Sequence, residues 1–133
     1  MAHVQCIVVT PERTVLDREA EFVALPLYDG EIGIAPGHTP LIGRLGCGEL
    51  RVRDAQSVDR LYVEGGFVQV LEGVVSVLTG KAVPGKDLDE AVAEEQLDAA
   101  RARPANTPDL MTQRDQAVTQ ARAQLRVARR ARP

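Results

Sequence analysis

Residues able to do chemistry crowd into one stretch, Asp29 to Ile42, which reads DGEIGIAPGHTPLI. It holds three glycines, two prolines, one histidine and two acids. Such a set could cradle a phosphate, ligate a metal, or shape a loop for a partner. A dinucleotide cradle needs G-x-G-x-x-G between a strand and a helix, and GEIGIAPG has neither the spacing nor the following helix. The other phosphate-loop candidate is GVVSVLTGKA, Gly73 to Ala82. Six residues rather than four separate its glycines, and Ala82 stands where Ser or Thr must meet magnesium. His3 and His38 are the only histidines, and neither has metal-ligand spacing to Cys6 or Cys47. Ser57 and Ser76 are the only serines, each in or beside an expected strand, so a nucleophile–base pair has little raw material. Asp29 and Glu31 read as acids at a hairpin tip. No catalytic, cofactor or metal set is expected. The stretch reads instead as either a rigid, partly apolar rim for docking a partner or a packed corner serving only the fold: Pro36 and Pro40 stiffen a bend, and Ile32, Ile34, Leu41 and Ile42 surround it.

The elements that hold this rim are β-strands. From His3 to about Pro84, short valine-rich runs alternate with turn residues. HVQCIVV is one run. REAEFVALPL alternates at Phe22, Ala24 and Leu27, and ELRVR puts Leu50 and Val52 on one face. RLYVEGGFVQVL is two runs split at Gly65-Gly66, and VVSVLTG is another. Period-two alternation with frequent turns predicts an antiparallel sandwich or barrel of about ten strands.

The remainder is helical. LDEAVAEEQLDAARA places Leu88, Val92, Leu97 and Ala100 on one side, with Asp87 as N-cap and Glu90 completing a capping box. A break at ARPANTP follows. Thr107 caps a second helix from about Asp109 to Arg130, with Pro108 at its first position. Its stripe, Leu110, Ala117, Val118, Ala121, Leu125 and Ala128, is mostly alanine and buries little area. The hairpin is expected to be held only marginally. The boundary falls at the Pro84-Gly85 stop: residues 1–85 as sandwich, residues 86–133 as helical hairpin.

Charge divides at a different point. Met1 to Pro108 carries ten Lys/Arg and seventeen Asp/Glu, a net of −7 (10 − 17), and Asp109 to Pro133 carries six arginines and two aspartates, a net of +4 (6 − 2). An acidic body with a basic tail points to interaction rather than folding. Four aromatics, Phe22, Tyr28, Tyr62 and Phe67, are few for stacking bases or sugars. A nucleic-acid module is therefore disfavoured. An extracellular binding module is disfavoured too, since MAHVQCIVVTPER has no basic n-region or apolar h-region. No run approaches the roughly 20 apolar residues of a membrane span. The expected setting is cytosolic, with two buried, unpaired thiols.

DGEIGIAPGHTPLI resembles the signature of the epsilon subunit of F-type ATP synthases. Gly30, Gly33, Pro36, Gly37, His38, Pro40 and Leu41 match its G-x-x-G-x-x-P-G-H-x-P-L core. YVEGGFVQVLEGVVSVLTGKA resembles the second signature, DLDEAVAEEQLDAARA the first C-terminal helix, and AQLRVARR the second. The likeness spans the whole chain in order. It implies a ten-stranded β-sandwich followed by a two-helix antiparallel hairpin. It implies a non-catalytic rotor subunit of the central stalk, coupling proton flow to ATP synthesis. The implied partners are the gamma subunit, the c-subunit ring and the alpha and beta subunits of the head, with the membrane touched only through the complex, on the cytoplasmic face of the bacterial inner membrane. Nucleic acid is not among them. Gamma would meet Pro36, Gly37, His38, Thr39, Pro40 and Leu41. The ring would meet Tyr28, Asp29, Gly30 and Glu31. The hairpin would extend into the head, where Arg122, Arg126, Arg129 and Arg130, with Arg132 beyond them, meet an acidic segment and obstruct ATP hydrolysis. Family members that bind regulatory ATP carry an arginine where this chain has Val92, which counts against ATP sensing.

Overall fold

The computed structural model describes residues 2–131. Ten strands come first: β1 Val4–Val9, β2 Thr14–Ala20, β3 Phe22–Leu27, β4 Gly30–Ile34, β5 Leu41–Arg44, β6 Cys47–Arg53, β7 Val58–Glu64, β8 Phe67–Leu71, β9 Val74–Leu78 and β10 Ala82–Pro84. A 3₁₀ turn, Gly85–Asp87, leads to α1, Glu90–Arg101, and α2, Pro108–Arg130. The strands form two five-stranded sheets, ordered β2-β1-β9-β8-β5 and β10-β7-β6-β3-β4. Val4, Cys6 and Val8 of β1 point inward, as do Val68, Val70, Val75 and Val77 of the same sheet, against Val23, Leu25, Leu50, Val52, Leu61 and Val63 of the other. Alternating valines are what a half-buried pleated surface selects, because the branched side chain packs there at little entropic cost.

Three expectations are corrected. The sheets are not wholly antiparallel, since β1 runs parallel to β9. Hairpins β1–β2 and β8–β9 meet side by side, and the direction of that meeting is a long-range choice that local pattern does not encode. In β3 the phase is the opposite of that expected. Val23 and Leu25 enter the core while Phe22 lies outward, its ring 5.0 Å from the Arg53 guanidinium. The strand breaks at Glu21, and a one-residue break moves every following side chain to the other face. Finally, α1 is capped by Asp89 rather than Asp87, its carboxylate accepting from Ala91 N and Val92 N. Leu88 stays extended and packs beside Tyr62, Ala123 and Val127, which delays the helix. In α1, Ala93, Leu97 and Ala100, at i, i+4, i+7 spacing, take the buried side, and Val92, five residues before Leu97, faces outward.

The start of α2 is as read: the Thr107 hydroxyl accepts from Leu110 N, and Pro108 opens the helix. Its buried surface is wider than one stripe. Ala121 and Leu125, with Val118 beside them, pack on Ala93 and Leu97 of α1, while Ala123 and Val127 pack on Tyr62 of β7. The helix is thus shared between its hairpin partner and the outward face of the second sheet. Across the open side of the sandwich, Arg18 of β2 donates to Asp59 at 2.6 Å and to Asp54. Asp54 also accepts from Gln56 N and Ser57 N, and these backbone donors, with Arg18 adding a smaller pull, hold its carboxyl below the ordinary carboxylate range. Cys6 lies in the core, where burial pushes its thiol up to about 12, and Cys47 is half-buried rather than buried. Among the described residues no helix is long and apolar enough to cross a membrane.

Candidate functional site

The rim is a single loop. β4 ends one edge of the second sheet and β5 ends the same-side edge of the first, so residues 35–40 carry the chain from sheet to sheet. A turn closes it, with His38 N donating to Ala35 O at 3.1 Å. The His38 ring then donates from Nδ1 to Thr39 O at 2.7 Å, fixing its orientation along the loop. Pro36, His38 and Leu41 are half-buried, and Gly37, Thr39 and Pro40 are exposed. All six residues expected at a partner contact therefore share one continuous surface.

That surface extends where no residue was singled out beforehand. The outward face of the first sheet carries exposed apolar side chains around the polar pair Gln69 and Ser76: Ile42 is 78% exposed, Phe67 60%, Leu78 56% and Leu71 44%. Arg44 pairs with Phe67, and Phe67 with Leu78, so these side chains stand in a row across three strands. Pro40, Leu41, Ile42, Gln69, Val70 and Leu71 line a shallow groove between these side chains and the loop. The signal was present in FVQVL and VVSVL. Val68, Val70, Val75 and Val77 already fill the inward phase, and Phe67, Leu71 and Leu78 add large apolar groups to the other phase beside Gln69 and Ser76. Several large apolar side chains exposed on one outward face imply a partner there.

Tyr28 and Asp29 form the tip of the β3–β4 hairpin, flanked by Gly30 and Glu31, and all four are exposed. The Arg44 guanidinium sits 4.7 Å from the Tyr28 ring centroid, which ties the tip to the first sheet. The two acids are not equivalent. Glu31 accepts from Arg51 at 2.9 Å, whereas Asp29 has no ion pair among the described residues.

The arginines of α2 also divide. Arg129 bridges to α1, donating to Glu90 at 2.9 Å and to Glu94 at 3.0 Å. Arg130 donates to Glu49 of β6 at 3.3 Å. Arg122 and Arg126 are exposed and have no ion-pair partner among the described residues. Arg132 lies outside the described residues. Val92, 46% exposed, offers no donor beyond its backbone N–H, which Asp89 holds. Among the described residues no three His, Cys, Asp or Glu side chains are grouped to hold a metal ion. Ser57 is spent on the Asp54 turn, its hydroxyl donating to Oδ1 at 3.2 Å.

Comparison with known proteins follows this geometry. The family model for the ATP synthase delta/epsilon chain, β-sandwich domain, matches residues 3–85. The ATP synthase epsilon chain of Rhodopirellula baltica is 51% identical over 126 residues, covering 95% of this chain and 98% of that one. Two solved structures share the fold. One is a chain of the Euglena gracilis mitochondrial ATP synthase, solved as OSCP/F1/c-ring in a rotational state, with a TM-score of 0.85, 24% identity, and coverage of 92% of this chain and 79% of that one. The other belongs to the central stalk and c-ring of the Tetrahymena thermophila mitochondrial ATP synthase, with a TM-score of 0.73, 13% identity, and coverage of 94% and 96%. At such identities these two speak for the fold alone.

Proposed function

This chain belongs to the family of ATP synthase epsilon chains, and from that premise we propose that it is a non-catalytic rotor subunit of the central stalk, coupling proton flow through a c ring to ATP synthesis in the catalytic head. The observation that carries this reading is the set of exposed apolar side chains Ile42, Phe67, Leu71 and Leu78 on one sheet face, grouped around Gln69 and adjoining the signature loop Pro36 to Leu41. A torque-bearing joint needs a broad, rigid, apolar seat, and a sheet face with a stiff rim supplies one. The gamma subunit is its occupant. Tyr28, Asp29, Gly30 and Glu31 face the c ring, with Asp29 the acid left free for a partner. The subunit sits peripherally on the cytoplasmic face of the inner membrane and reaches the bilayer only through the complex.

The chain divides near residue 85 into a sandwich and a regulatory arm. Among the described residues, no helical residue enters the sandwich's own core cluster, which supports this division. A fragment ending at Lys86 should stay folded and bind gamma, at the cost of exposing Tyr62. Circular dichroism checks it, and loss of the β signal would mean that hairpin and sandwich fold only together.

The arm inhibits ATP hydrolysis through its exposed arginines. Arg122 and Arg126 are the two that need no rearrangement to meet an acidic segment of the head. Co-purification with gamma, followed by ATPase assay of the assembled complex, tests the whole reading. The Arg122→Ala, Arg126→Ala variant should bind gamma normally and raise hydrolysis about threefold or more at low salt, since exposed pairs contribute about 0.3–1 kcal/mol each. High salt should narrow the difference. Equal hydrolysis at low salt would reduce both residues to solvated charge.

A further inference from the structure

Glu49 lies on the outward face of β6, yet its side chain is only 4% exposed. Its Oε1 accepts from Arg51 at 3.1 Å, Arg60 at 3.0 Å and Arg130 at 3.3 Å. Its Oε2 is buried with no partner among the described residues. Three guanidiniums on one oxygen and none on the other is not what stability alone selects. A well-packed apolar side chain does as well or better at a buried position. Arg51 and Arg60 are direct cross-strand neighbours of the same sheet, and only Arg130 arrives from elsewhere, 81 residues along the chain in the last turn of α2.

We infer that Glu49 and Arg130 form an electrostatic latch holding the helical hairpin on the sandwich. The charges make the latch reversible. Without the hairpin, Glu31, Arg51, Glu49 and Arg60 form a balanced set of two acids and two bases. Undocking removes Arg130 and at the same moment returns Glu49 to water. Neither state contains a buried charge without a counter-ion, so the usual penalty for breaking a buried pair does not bar release. The apolar share of the interface is small: Tyr62 and Leu88 meet Ala123 and Val127. Gly85 lets the hairpin seat closely, since a Cβ there would lie 2.7 Å from the Ala131 Cβ. The inference concerns docking in the free chain and does not rest on the inhibitory role proposed above. Its consequence for that role is that docking keeps Arg130 occupied, just as Glu90 and Glu94 keep Arg129 occupied.

Two native thiols report on the latch. Cys47 lines the groove between the sandwich and Gln116, Thr119 and Gln120 of α2, while Cys6 lies inside the sandwich core. Pulsed iodoacetamide alkylation of the full chain, read residue by residue by mass spectrometry, separates hairpin release from unfolding. Glu49→Gln and Arg130→Gln should each speed Cys47 labelling on the order of tenfold and leave Cys6 unchanged, and the double variant should be no faster than the faster single. Glu49→Gln should act more strongly, because it leaves three guanidiniums facing one another. High salt should speed Cys47 in the wild type and leave Arg130→Gln unaffected. An unchanged Cys47 rate in both single variants overturns the latch. So does parallel acceleration of Cys6, which would make Glu49 a sandwich residue, or a double variant showing the product of the single effects.

Discussion

Gly66→Ala should destabilise the protein by about 4 kcal/mol or more, a large share of the roughly 5–15 kcal/mol that holds a domain of this size. Gly65 and Gly66 carry the chain from β7 in one sheet to β8 in the other, and both have positive φ, 69° and 102°. Gly65 lies close to the left-handed α well and Gly66 outside it, and the space at the two positions differs even more. A Cβ on Gly65 would meet nothing within 4 Å, whereas one on Gly66 would lie 1.9 Å from Leu78 O and 2.8 Å from the Thr79 Cα. These are backbone atoms of the neighbouring strand end and cannot swing aside. Gly66 O also accepts from Leu45 N at 2.9 Å, so moving the crossing pulls on a second element. Gly65→Ala is the control and should cost only about 1–2 kcal/mol of left-handed strain. Urea unfolding of the two variants decides the matter. Equal midpoints would mean that close approach at Gly66 contributes nothing.

The second large effect is expected at the apolar sheet face. Phe67→Glu combined with Leu78→Lys should cut gamma affinity by roughly 10²–10³-fold, the range lost when an interface hot spot is removed and a charge is buried instead. The free protein should hardly notice. Phe67 and Leu78 are 60% and 56% exposed, and exposed substitutions usually stay within about 0.5 kcal/mol. The two positions are direct cross-strand partners, so opposite charges keep β8 and β9 paired. Titration calorimetry with gamma, beside a thermal melt, separates binding from folding. An unchanged affinity would move the gamma seat away from this face and leave it to the loop alone.

How much of this was legible beforehand follows from the range of each interaction. Apart from REAEFVALPL, which divides at Glu21, the strand runs, the Thr107–Pro108 helix start and the signature loop are written in neighbouring residues, and each stood where the local pattern placed it. The phase of β3 was not legible, because a single bend at Glu21 decides it and bends leave little trace in composition. The α1 cap moved from Asp87 to Asp89 because Leu88 finds a better contact beside Tyr62 than inside a helix, a contact between residues 26 positions apart. The second buried face of α2 escaped notice because Ala123 and Val127 look unremarkable until Tyr62 lies beneath them.

The site residues show the same division. The loop from Pro36 to Leu41 and the tip from Tyr28 to Glu31 are continuous in sequence, so the family resemblance could single them out as expected contact surfaces. The apolar patch is not continuous in sequence, since Ile42, Phe67, Leu71 and Leu78 come from three strands and share one face, around Gln69, only through sheet register. Five arginines near the end of the chain read as one basic arm. Folding divides the described ones by partner: Arg129 to Glu90 and Glu94, Arg130 to Glu49, with Arg122 and Arg126 left exposed. Sequence alone therefore determined the family and the order of strands and helices. Tertiary structure decided which charges are spent and which apolar faces remain open, because pairing and burial depend on residues far apart in the chain, and no local periodicity carries that distance.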